Sequence, residues 1–194
     1  LLPLGNMEKR QTRQHARRLN LPVHDKAESQ DICFVEGGDY RSVLDRIGAE
    51  PRREGAILDT AGEPVGHHGG ISNFTIGQRR GLPANRHGAR YVTRIDAATN
   101  TIIVGREEEL ATTGLVADEL NLIRPERFCE ATAVRAMVRY RVTPAPAMAR
   151  VDPNGILHLD FRSAQRAVSP GQLVALLDAN DDEVLGGATI AYTT

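Results

Sequence analysis

The 194-residue sequence predicts a mostly β chain of the α+β class, in which an opening helical part gives way to hairpins and then to a closed antiparallel barrel. Two patterns carry that expectation. Helical spacing of apolar residues is confined to the stretch before Gly48, and from Ala56 onward apolar residues recur at every second position between turn-forming segments.

Taken in order, Asn6 stands where it can cap a helix running to about Asn20. That stretch has no apolar face beyond Met7, Ala16 and Leu19, and it carries Lys9, Arg10, Arg13, Arg17 and Arg18, so it reads as a solvated basic helix whose sign would also suit a phosphate backbone. Leu21 to Val23 follows as a short strand. Asp39 opens a second helix in which Tyr40, Val43, Leu44 and Ile47 share one core-facing stripe, with Gly48 placed to end it. Strands are then expected over Ala56–Leu58, past a turn at Thr60 to Glu63, and over Tyr91–Ile95 and Thr101–Val104, joined across Asp96 to Asn100. From about Val116 the chain reads as all β. Val134, Ala136, Val138 and Tyr140 alternate with Arg135, Met137, Arg139 and Arg141; Asp152-Pro153-Asn154-Gly155 is a turn; Ile156–Phe161, Leu173–Leu177 and Val184–Tyr192 are further strands. Closing five or six such strands into a barrel would remove the exposed edges of an open sheet.

Composition narrows the function classes. No run approaches the roughly 18 to 20 apolar residues of a membrane-spanning helix, and the start lacks the basic and apolar regions of an export signal. Leu1 to Leu4 reads as the tail of an element already under way, which creates the expectation of further chain ahead of it. Cys33 and Cys129 do not form the framework of a small secreted domain, so a reducing cytoplasm is expected. A formal net charge of −1 excludes nucleic-acid binding by bulk electrostatics, and any RNA contact must be local. Of the 24 basic residues only Lys9 and Lys26 are lysines; arginine suits bidentate phosphate contacts, and a GC-rich coding sequence explains the bias equally well.

Candidate chemistry centres on Cys33, set between apolar neighbours in Ser29-Gln30-Asp31-Ile32-Cys33-Phe34-Val35 and just ahead of Gly37-Gly38, at a strand end meeting a loop. A cysteine in such a place is either a small buried hydrophobe or a nucleophile. Cys129, beside Phe128 at the start of a strand, reads as a packing residue. His67 and His68, with His87 further on, raise a metal-site reading, but the adjacent pair point in different directions and no Cys or carboxylate stands at ligand spacing, so no metal site is expected. Gln78, Arg79 and Arg80 either hold the shape of the central part or face RNA. Gly69-Gly70 and Gly186-Gly187 lack the spacing of a phosphate-cradling loop and read as turn or close-approach glycines.

Lys26-Ala27-Glu28-Ser29-Gln30-Asp31-Ile32-Cys33-Phe34 resembles the second cysteine motif of the tRNA-specific 2-thiouridylases. Pro3-Leu4-Gly5 with Lys9 and Arg13 is similar to that family's helix before the motif. Gly66-His67-His68-Gly69-Gly70-Ile71 leading into Phe74-Thr75-Ile76-Gly77-Gln78-Arg79-Arg80-Gly81-Leu82 is similar to its central signature. Arg139-Tyr140-Arg141, Ser169-Pro170-Gly171-Gln172 and Leu185-Gly186-Gly187-Ala188-Thr189-Ile190 resemble its barrel motifs, in the same order, so that the resemblance covers essentially the whole chain.

The resemblance implies three parts: residues 1–39 as the end of an α/β catalytic domain, 40–116 as a small central α+β domain, and 117–194 as an antiparallel β-barrel that contacts tRNA. It implies ATP-dependent 2-thiolation of the wobble uridine, in which ATP turns the C2 oxygen into a leaving group and a persulfide on Cys33 attacks that carbon. A first cysteine, absent from this chain, would then release the product by forming a transient disulfide with Cys33. Arg139, Tyr140 and Gln172 are implied as the tRNA contacts, and a sulfur-donor or sulfur-relay protein as a partner. The family's ATP-binding domain, with its Ser-Gly-Gly-x-Asp-Ser loop, has no counterpart in this sequence, so the chain is expected to be a portion of the enzyme that neither binds ATP nor acts alone. The rival expectation is a non-catalytic RNA-binding or interaction module with a buried structural cysteine.

Overall fold

The computed structural model describes residues 3–27, 43, 46–47, 53–84, 88–140 and 142–194. The chain divides into two compact units, Leu1–Pro51 and Arg52–Thr194. Among the described residues no helix is long and apolar enough to cross a membrane.

In the first unit, helix α1 spans Lys9–Arg18 and buries none of its residues, as its charge-rich sequence requires. Its start lies at Glu8 rather than Asn6. The Glu8 N–H, which no helical carbonyl can serve, donates to Gln11 Oε1 at 2.9 Å, and this local bond sets the first turn. Leu21 to Val23 is not a strand. Pro22 cannot donate to a ladder, and the chain folds back on the helix end: Leu21 N–H donates to Ala16 C=O (2.9 Å) and His24 N–H to Leu21 C=O (3.2 Å), while Arg17 pairs with Asp25. The expected helix from Asp39 lies largely outside the described residues. Where it is described, Ile47 N–H donates to Val43 C=O at 3.0 Å, and Ile47 is exposed rather than core-facing.

The second unit begins with a mixed four-stranded sheet, β1 (Gly55–Asp59), β2 (Pro64–His68), β3 (Tyr91–Asp96) and β4 (Thr101–Gly105), in the order β2-β1-β4-β3. β1 pairs parallel with β4, and the other pairs are antiparallel. Two aspartates shape the connections: Asp59 Oδ1 accepts from the N–H groups of Ala61 and Glu63, and Asp96 Oδ1 from those of Ala98 and Thr99. Ile57, Val92, Ile102 and Val104 are buried on one face, with Ile71, Phe74 and Leu82 of the β2–β3 connection packed against them. The strand β2 was hidden in the sequence because Gly66 and the two histidines break the apolar alternation.

The remaining strands, β5 (Ala111–Leu122), β6 (Thr132–Met137), β7 (Ala145–Val151), β8 (Leu157–Arg166), β9 (Leu173–Leu177) and β10 (Val184–Thr193), close into an antiparallel barrel in the order β10-β5-β8-β7-β6-β9. A barrel this narrow leaves little interior width, and its cross-strand partners alternate small with large: Ala147 faces Phe161 and Val134, and Ala149 faces Leu159. Gly186 and Gly187 are close-approach glycines, since a Cβ on Gly186 would stand 2.6 Å from the Asn121 carbonyl oxygen and one on Gly187 3.0 Å from that of Val174. Cys129 does not pack in this core. It is an exposed free thiol that ends a 3-10 turn over Pro125–Phe128, and Phe128 is the residue that turn buries.

The β7–β8 hairpin is tied by Asp152, whose Oδ1 accepts from Asn154 and Ile156 N–H (both 2.9 Å) while Oδ2 lies 3.5 Å from His158 Nε2. The Ile156 N–H is the main cause holding this carboxyl below the ordinary carboxylate range, with Asn154 and His158 adding to it against an opposing desolvation. A carboxyl depressed in the folded state contributes stability above its unfolded value, near pH 4, and that contribution is lost as pH falls toward the folded value. Asp152→Ala is therefore expected to lower the melting temperature at pH 7 and to flatten the remaining loss between about pH 5 and pH 2. Thermal melts across that range check both; a mutant whose acid sensitivity equals the parent's would contradict the assignment.

Candidate nucleic-acid interface

Arg139 and Tyr140 do not continue the β6 alternation. The strand ends at Met137, Val138 is the last inward residue, and Val142 N–H donates to Arg139 C=O at 3.3 Å in a turn toward Pro144 and β7. Released from the pleat, Tyr140 stands out from the barrel with 80% of its surface accessible. β6 pairs antiparallel with β9, Arg135 with Leu177 and Met137 with Ala175, so the turn that leaves β6 and the loop that enters β9 at Leu173 lie at the same end of the barrel. Arg139 and Tyr140, and Gln172 more than thirty positions further on, thus share one end of the barrel.

That end is built around the β8–β9 loop, Ala167 to Gln172. The guanidinium of Arg139 donates to the Ala167 carbonyl, and Ala167 N–H donates to Leu110 C=O at 2.9 Å. Ser169 is buried with its hydroxyl directed at the Ala167 carbonyl, 3.4 Å away. Gly171 N–H donates to Ile190 C=O (2.7 Å), and Ile190 N–H returns a bond to Gln172 C=O (2.8 Å). The Gln172 backbone is therefore fixed on β10 while its side chain remains exposed. A guanidinium has five donors, so the bond to Ala167 orients Arg139 and leaves others for an anion.

The same loop meets the central signature. Gly77 has φ of +85°, and a Cβ there would stand 2.8 Å from the Ala167 side chain; its N–H donates to Val92 C=O (2.8 Å), and Val92 N–H donates to Gln78 C=O (2.9 Å). The Gln78 side chain accepts from Thr75 N–H (3.1 Å) and donates to Arg80 C=O (2.9 Å), which fits the shape-holding alternative. Arg79 and Arg80 are exposed. His68 is buried with both ring nitrogens engaged: Nε2 lies 3.1 Å from the Asn100 carbonyl oxygen, and Nδ1 accepts from Gly70 N–H at 3.0 Å. Among the described residues no three His, Cys, Asp or Glu side chains are grouped as metal ligands would be. Cys33 lies outside the described residues.

Two features of this end were not legible in the sequence. The part played by Ala167 has no local signal, because a positive φ of 54° at an alanine is imposed by its surroundings. Arg166, which pairs with Glu107 (3.1 Å) and lies 5.3 Å from the centre of the Tyr91 ring, joins barrel to sheet through residues that look like ordinary solvated charges.

Comparison with known proteins divides the chain into three consecutive matches. Residues 1–37 match a family model described as tRNA methyl transferase HUP domain, 42–106 one described as tRNA methyl transferase PRC-barrel domain, and 112–190 one described as aminomethyltransferase beta-barrel domain. Among curated proteins, the chain is 41% identical over its whole length to a tRNA-specific 2-thiouridylase of Pelotomaculum thermopropionicum, covering 52% of that protein. It is 41% identical, over 98% of its length, to one from Acidithiobacillus ferrooxidans, covering 54% of it. It is 38% identical, again over 98%, to one from Carboxydothermus hydrogenoformans, covering 52%. The chain spans about half the length of the curated relatives it matches.

The contact between Gly77 and Ala167 generates a prediction. Gly77→Ala forces both a strained φ and an overpacked contact, and is expected to destabilise the second unit by about 1–3 kcal/mol. Adding Ala167→Gly should restore the part due to the clash. Urea denaturation of the single and double variants reads the coupling, and strictly additive effects would show that the two residues do not press on one another.

Proposed function

Because this chain belongs to the tRNA-specific 2-thiouridylase family, we propose that it supplies the sulfur-carrying cysteine and a tRNA-holding surface of an enzyme that thiolates the wobble uridine of tRNA. The observation that supports this reading best is that Arg139, Tyr140 and Gln172 stand on loops at one barrel end, which thereby presents a cation, an exposed aromatic and an exposed amide. Those are the three kinds of group that hold RNA: guanidinium to phosphate, ring and amide to sugar or base. The slightly acidic whole does not oppose it, since few contacts are needed from this end.

On this proposal Cys33 carries the sulfur as a persulfide, whose outer atom is a soft nucleophile, and a sulfur-donor or relay protein in the cytoplasm loads it. Residues 1–39 belong to the catalytic part, 40–116 to the central domain and 117–194 to the tRNA-contacting barrel, a division that follows the order of the three matched segments. No residue of this chain is assigned to ATP. The phosphate loop of the family does not occur in the sequence, Gly186 and Gly187 are consumed by strand packing, and Gly70 sits at the tight bend after β2 with φ of 130°. Activation of the uridine therefore falls to residues outside this sequence.

Two outcomes are expected. In cells whose gene for this protein encodes Cys33→Ser, 2-thiouridine should fall to background while the protein still accumulates, because serine cannot carry a persulfide. Normal 2-thiouridine, read by mass spectrometry of digested tRNA, would sink the assignment and favour the non-catalytic module. With the complete gene product, Arg139→Ala should weaken tRNA binding at low salt and reduce the slope of log affinity against log salt by about 0.7 to 0.9, the value for one phosphate. Tyr140→Phe, which loses a hydroxyl and keeps the ring, should cost about 0.5–1.5 kcal/mol with the slope unchanged. An unaltered affinity and slope for a folded Arg139→Ala protein would return this turn to the role of a solvated connection.

A further inference from the structure

A cavity of about 360 Å³ opens between the signature loop and the β8–β9 loop. Phe74, Ile76, Ile95 and Pro170 supply its apolar surface, and Thr75, Ser169 and Gln172 its polar groups; every residue lining it is uncharged. The walls are held from behind. Phe74 stacks edge-on against the buried His68 ring at 5.9 Å and 66°, Gln78 locks the turn that carries Thr75, and Gly77 presses against Ala167. Gly171 and Gln172 are bonded to Ile190 on the far side. Arg139, a cation beside this region, stands outside the lining and grips the foot of the same loop at the Ala167 carbonyl.

An uncharged, partly aromatic slot with hydroxyl and amide groups at its edge does not match an anion or a metal ion. It matches a flat, neutral molecule with donors and acceptors along one side, and a nearby guanidinium provides for a negative charge attached to that molecule but lying outside the slot. An unpaired nucleotide has this distribution, with its base neutral and its phosphate charged. Proteins that read RNA by sequence take such bases out of the stack, lay them on aromatic or apolar surfaces and bond their edges. We propose that this cavity is a base-binding subsite that receives one unstacked nucleotide of the tRNA, with Phe74 and Pro170 as its flat walls, and Thr75 and Gln172 bonding the base edge. The proposal rests on the tRNA-holding role of this barrel end and adds to it a recognition of base identity or base availability, where Arg139 alone would recognise only charge.

The test fills the slot. Thr75 is exposed at the cavity wall, and the backbone N–H that it donates to Gln78 is kept in tryptophan and serine, so Thr75→Trp places an indole in the base's position from an exposed site. With the complete gene product and unmodified tRNA transcript, Thr75→Trp is expected to weaken binding roughly fivefold to a hundredfold, the loss of one stacked base, with the salt slope unchanged. In the wild-type complex one unpaired base should be shielded from chemical probing of its Watson–Crick edge, by dimethyl sulfate or carbodiimide according to base, and in the Thr75→Trp complex that shielding should vanish. Thr75→Ser should retain both affinity and shielding. If Thr75→Trp does not fold, Gln172→Leu is read in its place; it keeps the volume at the exposed rim, removes the amide, and should expose the same base. A folded Thr75→Trp protein with wild-type affinity and footprint overturns the subsite. If Arg139→Ala still lowers the salt slope in that case, only the subsite fails; if Arg139→Ala is silent too, the tRNA-holding reading of this end fails with it.

Discussion

Closure of a six-stranded barrel is the constraint on which the rest of the second unit depends. Barrel diameter falls with strand number, and six strands leave an interior too narrow for facing layers of large side chains. The sequence meets this with alanines at Ala117, Ala136, Ala145, Ala147, Ala149 and Ala188, against which Leu115, Leu157, Leu159, Phe161 and Leu176 interdigitate. Closure also fixes which loops are neighbours. Because β6 pairs with β9 as well as with β7, the turn that leaves β6 must lie beside the loop that enters β9. The convergence of Arg139 and Tyr140 with Gln172 is thus a consequence of strand order, and no attraction among those side chains is required to produce it.

The β8–β9 loop transmits this placement to the central sheet. Ala167 is held on three sides, by the Leu110 carbonyl, the Arg139 guanidinium and the Gly77 backbone. An alanine accepts a positive φ only where such surroundings outweigh its cost. The central signature gains its rigidity the same way: Gln78 satisfies the polar groups of its own turn, so the loop needs no regular structure to hold Thr75 and Phe74 in place. Rigid loops on a closed scaffold suit recognition, because less ordering entropy is lost on binding.

Charge is distributed over this region with a clear division. Arg139 and the exposed Arg79 and Arg80 lie around the signature and barrel-end loops, while the slot between those loops is lined by neutral residues. A net charge of −1 hides this local arrangement, which shows why a whole-chain figure limits only binding by bulk electrostatics. Elsewhere, ion pairs such as Arg124–Glu183 and Arg135–Asp181 tie strand ends and loops together and consume their own cations. The more exposed of the two, Arg124–Glu183, stabilises little, and both leave fewer unengaged charges competing for a polyanion.

The sequence by itself determined the class of the chain and most of its strands, because those rest on local rules. Period-two alternation located β1, β3, β4, β9 and β10, and the Asp152 and Asp96 turns were set by side chains bonding their own backbone. Motif order likewise pointed to the family and nominated Cys33, Arg139, Tyr140 and Gln172. Only the tertiary structure decided the rest. It ended β6 at Met137, where the register with β9 stops and the chain must turn toward β7, so Tyr140 stands in solvent and not on the inner face that alternation gave it. It moved the helix start from Asn6 to Glu8, replaced the strand at Leu21 to Val23 with a turn against Ala16, and exposed Cys129. The slot lined by Phe74, Thr75, Pro170 and Gln172 joins residues about a hundred positions apart, and Ala167 matters through a contact with Gly77 that neither residue type announces. Periodicity reports which face of an element meets the core; strand order and closure decide which loops meet each other, and the candidate site is made of loops.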